Sequence, residues 1–221
     1  MRFWLVISVA LFFLAGCGVV ASPPPRAAVY DLRLSEESGD WATRPQALEN
    51  RGPAVCPAAL SLEVAAPSWL QGRAMQYRLE YRDVNRRQSY LESRWAAEPA
   101  EMVALALERF FTAPGVAAAS SPGLTVAAPC RLRLALDEFV QVFVSGQESY
   151  ALLVVRAELR PPGGESLVRE EFVVRQVTPT PDAAGGVAGH RLALQLLAAE
   201  LQSWLAVVGP ATGCACRATT P

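Results

Sequence analysis

The chain has 221 residues, of which 52% are hydrophobic, so it carries ample material for one buried core. Its 20 basic and 21 acidic residues give a formal net charge of −1, which excludes the basic excess typical of nucleic-acid-binding proteins. The chain has one histidine, His190, whereas a histidine-based zinc site needs several ligands. His190 would join a catalytic triad only from within a predicted helix. Composition therefore predicts neither a metal site nor a catalytic site.

The amino-terminal segment has the organisation of an export signal. Arg2 supplies the positive start, and the apolar run 3–14 is shorter than the roughly 20 residues that a membrane-spanning helix needs. The run leads into Leu-Ala-Gly-Cys at positions 14–17, which resembles a bacterial lipobox. The resemblance implies thioether lipidation of Cys17, cleavage before it and acylation of the new amino terminus, and several acyl chains give a lasting anchor. An ordinary secretory signal with an incidental cysteine is the alternative.

The sequence thus predicts a signal peptide at 1–16 and a lipidated cysteine with a proline-rich tether at 17–27. At roughly 3 Å per residue, the tether keeps the following domain within about 30 Å of the lipid. Enterobacterial lipoproteins that stay at the inner membrane usually carry Asp after the cysteine. Gly18 therefore favours the periplasmic face of the outer membrane over the inner membrane.

Exported proteins lie in an oxidising compartment, so the remaining cysteines are disulfide candidates. These four are Cys56, Cys130, Cys214 and Cys216, and four cysteines allow three pairings. Cys214 and Cys216 would close a small, strained ring, so a bond from the tail to Cys56 or to Cys130 is equally compatible. Some of the thiols could also stay free. A redox site is not predicted, because the usual motif is Cys-x-x-Cys.

The sequence pattern of the first half of the domain predicts short strands followed by a helix. Alternating patterns predict strands at 28–34, 59–64, 74–81 and 88–93. The polar, Gly- and Pro-containing segment 35–57 is expected to be a surface loop, and 83–87 a hairpin loop. A helix is expected to begin near Pro99, which suits the first helical position, and to end at Pro114-Gly115.

The sequence pattern of the second half predicts long strands followed by a final helix. The segments 130–144, 149–161 and 166–178 predict an antiparallel meander with one buried face. Asp182 is expected to cap a helix that runs to about Val208 and ends at Gly209-Pro210, before an irregular tail at 209–221. The sum is a single α+β domain at 28–208: an antiparallel-rich sheet with two amphipathic helices packed on one face.

Short motifs follow the lipobox in a recognisable order. They are Val29-Tyr30-Asp31-Leu32, Trp69-Leu70, Gln76-Tyr77-Arg78, Tyr90, the run Trp-Ala-Ala-Glu-Pro at 95–99, the run Leu-Arg-Leu-Ala-Leu-Asp-Glu-Phe at 132–139, and Ser203-Trp204-Leu205. Together they resemble the ABC-type transport auxiliary lipoproteins, which include the PqiC-type lipoproteins. The resemblance covers nearly the whole chain after the lipobox.

This resemblance implies a non-catalytic role beside an ABC transporter of the MCE (mammalian cell entry) class. Such systems move phospholipid or related apolar cargo between the inner and outer membranes. The protein would dock to the MCE-domain protein at the outer-membrane side, and it would form a homo-oligomer. No cofactor is implied apart from the lipid on Cys17, and no nucleic-acid partner. A structural assembly or pilot lipoprotein of another envelope complex is the alternative.

Candidate partner-binding residues lie around the predicted hairpin. Tyr77 and Arg78, with the arginines at 82, 86 and 87, could dock an acidic partner or lipid headgroups, because the planar guanidinium pairs bidentately with anions. A solvated hairpin is the alternative. Trp95 could anchor an interface, or it could pack the following helix onto the sheet.

The pair Asp137-Glu138 resembles the two carboxylates of an acid–base site. Adjacent residues of a regular strand point to opposite faces. We therefore predict that the two carboxylates do not share a site and that they carry no catalysis.

Overall fold

The structure of the protein, a computed structural model, describes residues 27–32, 60–112, 130–163 and 167–214. The predictions on the signal peptide, the lipobox, the tether and the loop 35–57, and those on Cys17, Cys56 and Cys216, lie outside these residues. The elements are β1 (Ala28–Tyr30), β2 (Leu60–Ala65), β3 (Ala74–Leu79), β4 (Arg87–Trp95), α1 (Pro99–Thr112), β5 (Cys130–Phe143), β6 (Ser149–Arg160), β7 (Val168–Val177) and α2 (Ala183–Thr212).

The described strands form one mixed, seven-stranded sheet centred on β5. β6 and then β7 lie on one side of β5, while β2 and β3 follow one another along its other side, with β4 and β1 beyond β3. The long strands β5, β6 and β7 pair antiparallel, as predicted, and so do β3 and β4. The pairings β1–β4, β2–β5 and β3–β5 are parallel. The α+β prediction is confirmed, and the sheet is mixed rather than purely antiparallel.

Two connections explain the parallel pairings of β5 with β2 and β3. β2 and β3 are joined by a short 3-10 turn at Ser68–Leu70, and both run in the direction of β5. α1 joins the end of β4 to the start of β5. Because β4 is antiparallel to β3, the chain reverses a second time at α1 and β5 runs in the same direction as β3.

One face of the sheet, called here the inner face, is buried beneath both helices. From Cys130 to Leu136, every second residue of β5 points to it, and Leu132, Leu134 and Leu136 are fully buried there. Val103 and Leu107 of α1 join the same core. α2 packs over β6 and β7, and its fully buried side chains include Leu194, Leu197, Leu201 and Leu205. Burial of each such side chain contributes about 1.5–3 kcal/mol.

Local capping chemistry sets the starts of both helices. α1 begins at Pro99, where the missing N–H of proline costs nothing. α2 begins after Asp182, whose carboxylate accepts the N–H of Gly185 at 2.7 Å. This hydrogen bond is the largest cause that lowers the pKa of Asp182 below its ordinary value. Both predicted helix starts are confirmed.

The predicted end of α2 at Gly209-Pro210 is wrong. The helix continues through Pro210 to Thr212 and ends at Gly213, whose left-handed φ of 74° suits glycine. Pro210 has no backbone N–H, so the helix loses one backbone hydrogen bond there and still continues for two more residues. A covalent link from Cys214 to β5, described below, holds the same turn on the core.

Among the helices of the described residues, α2 alone is long and apolar enough to cross a membrane, judged by length and composition only. Its leucine face is buried against β6 and β7. This packing is that of a core helix.

Candidate partner-binding surface

The outer face of the sheet, opposite the helices, carries a three-residue ion cluster. Arg78 of β3 lies beside Arg87 of β4, and both donate to the carboxylate of Glu138 on β5. The Arg78 Nη2 atom lies 2.9 Å from Oε1 and 3.1 Å from Oε2 of Glu138, and the Arg87 Nη2 atom lies 2.5 Å from Oε2. Two guanidinium groups on one carboxylate leave an excess of one positive charge. The buried Nε of Arg78 has no hydrogen-bond partner.

A β-bulge at Asp137 overturns the prediction that Asp137 and Glu138 face opposite sides of the sheet. Leu136 pairs with Val155 and Glu138 with Val154, so Asp137 is an extra residue in β5. Both carboxylates therefore lie on the outer face.

The bulge still creates no acid–base pair, because each carboxylate is bound by arginine. Asp137 accepts hydrogen bonds from Nε and Nη2 of Arg156 at 2.5 and 2.8 Å, and these bonds are the main cause that lowers the pKa of Asp137. Asp137 therefore stays ionised at neutral pH and does not serve as a general acid. In the described residues, no group of three or more His, Cys, Asp and Glu side chains could hold a metal ion.

Tyr77 and Arg78 point to opposite faces, because they are neighbours on β3. The Tyr77 ring lies on the inner face, 4.8 Å from the Tyr90 ring and 5.8 Å from the Phe143 ring. Its hydroxyl lies 3.2 Å from Oε1 of Gln88. Tyr77 is half-buried and Arg78 is on the other side, so the two predicted contacts do not form one surface.

Trp95 is a packing residue, and its burial argues against the hypothesis of an interface anchor. It is 2% exposed, and its ring meets the rings of Phe139 at 5.3 Å and His190 at 5.6 Å, both edge to face. The end of β4 points this side chain inward beneath α2. The structure thus favours the alternative that Trp95 packs a helix onto the sheet.

His190 lies in the core beside Trp95 and Phe139, and its ring centroid is 4.3 Å from that of Phe139. Its Nδ1 atom is 2.7 Å from the carbonyl oxygen of Gly186, and its buried Nε2 has no hydrogen-bond partner. Burial lowers the pKa of His190 to about 4. The ring is therefore neutral at pH 7.

A chain of buried polar side chains crosses the inner face near the start of α2, and the sequence did not reveal it. The Tyr90 hydroxyl donates to Oε1 of Gln141 at 2.9 Å, and Nε2 of Gln141 donates to Oγ of Ser149 at 2.9 Å. The hydroxyl groups of Ser149 and Thr178 are 2.6 Å apart. Gly186 of α2 lies so close to Gln141 that an added Cβ would overlap the amide. Burial is the main cause that raises the pKa of Tyr90.

Cys130 and Cys214 form a disulfide between the first residue of β5 and the residue after the Gly213 cap of α2. Both cysteines are buried. The bond realises one of the pairings that the sequence left open, and it spans 84 residues of chain.

The comparison with protein families decides the identity. The family model of the ABC-type transport auxiliary lipoprotein component matches residues 41–202. The chain belongs to this family. The match covers β2 to most of α2, which includes the ion cluster and the buried polar chain of this auxiliary lipoprotein.

Solved structures share the fold of the auxiliary lipoprotein. Protein XCC0632 from Xanthomonas campestris, of the family DUF330, superposes with a TM-score of 0.60 at 18% identity, over 70% of this chain and 86% of that one. The crystal structure of an uncharacterized protein superposes with a TM-score of 0.57 at 13% identity, over 81% of this chain and 99% of that one. At these identities the likeness shows the fold alone. No curated protein matches the sequence.

Proposed function

We propose that the protein is a non-catalytic, lipid-anchored auxiliary component of an ABC transport system of the MCE class. Membership of the auxiliary lipoprotein family carries the proposal, and the Leu-Ala-Gly-Cys run at 14–17 supports the anchor. The protein would stand on the periplasmic face of the outer membrane, as Gly18 favours. There it would dock to the MCE-domain protein that conducts lipid between the two membranes.

The anchor is tested by metabolic labelling with radioactive palmitate. We expect the native protein to incorporate label and Cys17→Ala to incorporate none, because the diacylglyceryl thioether needs the Cys17 sulfur. Cys216→Ala is the matched control, and it should label as the native protein does. Equal labelling of the Cys17→Ala variant would contradict the anchor.

The partner is tested by cross-linking in cells and pulldown of the full chain through a carboxy-terminal tag. Recovery of an MCE-domain protein with its ABC transporter is expected. Recovery of a secretin or an outer-membrane assembly factor instead would favour the pilot-lipoprotein alternative.

We propose the outer-face ion cluster as the docking point for an acidic group of the partner. Arg78 and Arg87 share the single carboxylate of Glu138, so a partner carboxylate would compete with Glu138 for the two guanidinium groups. Tyr77 and Trp95 are excluded from this surface by their burial on the inner face.

This docking point predicts opposite effects for two substitutions. Arg87→Gln removes one cationic partner, and we expect several-fold lower recovery of the MCE-domain protein. Glu138→Gln removes the internal competitor, and we expect recovery to rise. Arg131→Gln, at an exposed outer-face position of β5, is the control and should change nothing. A fall in recovery with Glu138→Gln, in protein that melts as the native form does, would argue against competition for the arginines.

A further inference from the structure

One end of the sheet gathers several loops, and we call it the hairpin end. β3, β5 and β7 run towards it, and β4 and β6 start from it. It therefore presents the β3–β4 hairpin at 80–86, the β5–β6 turn at 144–148 and the end of β7.

Large apolar side chains are exposed at the hairpin end. They are Tyr81 (47% exposed), Val84 (48%), Val144 (43%) and Val177 (74%). Large apolar side chains that are exposed together at one end of a domain commonly mark a contact with a protein or a membrane.

The hairpin holds its apolar side chains in a defined turn. The backbone N–H groups of Arg82 and Asp83 both donate to the carbonyl of Leu79 at 2.9 Å, and the Asp83 carboxylate accepts the N–H of Asn85 at 3.0 Å. The N–H of Glu80 is bonded to the carbonyl of Phe143 at 3.0 Å, which ties the hairpin to the end of β5. Tyr81 and Val84 are therefore presented to solvent by a fixed backbone.

Two arginines flank these apolar groups. Neither Arg82 nor Arg86 forms an ion pair within the described residues, and the Arg82 guanidinium lies 5.6 Å from the centre of the Tyr81 ring. Guanidinium groups bind phosphate bidentately, and tyrosine suits the boundary between lipid and water. The same end exposes three acidic residues, Glu80, Asp83 and Glu148. This end therefore carries no net positive charge, and any binding of a lipid surface here would depend on apolar contact and on pairing of the two arginines with individual phosphates.

The first described strand, β1, runs away from the hairpin end. β1 is parallel to β4, with Ala28 opposite Ser93, so the residue before Ala28 lies on the side towards Arg87, where β4 starts. The six residue-to-residue steps from Arg87 to Ser93 span at most roughly 20 Å. The segment 18–27 can reach roughly 30 Å when extended. A lipid on Cys17 can therefore lie level with the hairpin.

We propose that the hairpin end is a membrane-contact site for a phospholipid bilayer, in which Tyr81 and Val84 enter the headgroup region while Arg82 and Arg86 bind lipid phosphates. The inference rests on the proposed lipid anchor at Cys17. It adds a second contact that orients the domain on its membrane, with the hairpin end down.

The test places an environment-sensitive NBD fluorophore at Val84→Cys or, as a matched control, at Val207→Cys. Both are exposed valines, but position 207 lies near the opposite end of the molecule, close to the Cys130–Cys214 bond. The full lipidated chain, with Cys56→Ser and Cys216→Ser, is reconstituted into vesicles of phosphatidylethanolamine and phosphatidylglycerol that contain nitroxide-labelled lipid. We expect a blue-shifted emission at position 84 and quenching several-fold stronger than at position 207.

Further variants assign the effect to the hairpin. Tyr81→Ser with Arg82→Gln and Arg86→Gln should lower the quenching at position 84 several-fold, and Leu91→Ser, at an exposed apolar position of β4, should not. Equal quenching at positions 84 and 207 in palmitate-labelled protein would overturn the inference and leave the anchor standing. Protection of position 84 only after the MCE-domain protein is added would overturn it in favour of a protein contact. Absence of palmitate would overturn both the anchor and the inference.

Discussion

Replacing Cys214 with alanine is expected to lower the free energy of unfolding by about 4–5 kcal/mol. The Cys130–Cys214 bond closes 84 residues of chain, and loss of that loop closure raises the entropy of the unfolded state by a term of this size. For a domain of this length the change corresponds to a fall in Tm of about 10–15 °C. Thermal unfolding followed by circular dichroism, with and without reductant, measures both quantities.

Matched variants separate the bond from the side chains. Cys130→Ala should lose as much stability as Cys214→Ala, and the double variant should lose no more than either, because one bond is removed in all three. Reductant should destabilise the native protein and leave the double variant unchanged. If Cys216→Ala lowered Tm as far as Cys214→Ala does, a pairing of the tail through Cys216 would replace the one described.

The protein is expected to lose about 3 kcal/mol of stability through His190 as the pH falls from 6.5 to 4. The ordinary pKa of histidine is 6.5, and burial lowers the pKa of His190 to about 4. Between these values the histidine is protonated in the unfolded state and neutral in the folded state, so the free energy of unfolding falls as the pH decreases. Well above pH 6.5 the group is neutral in both states and contributes no pH dependence.

Urea denaturation at pH 7 and pH 4.5 measures this loss. In His190→Leu, which keeps a side chain of similar size beside Trp95 and Phe139, the decline between the two pH values should shrink by most of that amount. Asp137 and Asp182 have pKa values below the ordinary value of aspartate. The stability that each contributes is complete above that ordinary value, and it is lost as the pH falls below it and through the folded-state pKa. An unchanged decline in the His190→Leu protein would show that another group titrates in this window.

Features with a local chemical cause could be read from the sequence. Pro99 and Asp182 fix the starts of the helices, and the leucines at 194, 197, 201 and 205 follow the helical period that buries them. The three long strands alternate, or nearly alternate, along their length. Each of these signals acts within a few residues, so no tertiary information was needed.

Features that depend on distant contacts could not be read. The bulge at Asp137 adds one residue to β5 relative to β6. Two neighbouring acidic residues do not reveal whether the strand that holds them is regular or bulged. The burial of Trp95 depends on α2, almost a hundred positions later. Gln141 offered one usable signal, because an amide within an otherwise apolar strand predicts a buried hydrogen-bond partner. The identity of its partners Tyr90 and Ser149 still required the fold.

The attachment of β1 has a mechanical consequence. Only Ala28, Val29 and Tyr30 pair with β4, in parallel register, and the carbonyl of Tyr30 accepts the N–H of Ala96 at 2.6 Å. A pull on the chain before Ala28, directed past the hairpin end, acts along the strand axis. The bonds between β1 and β4 are then loaded together in shear instead of being opened one by one from an end. Through the proposed anchor at Cys17, even this short strand would resist such a pull until the whole row of bonds fails at once.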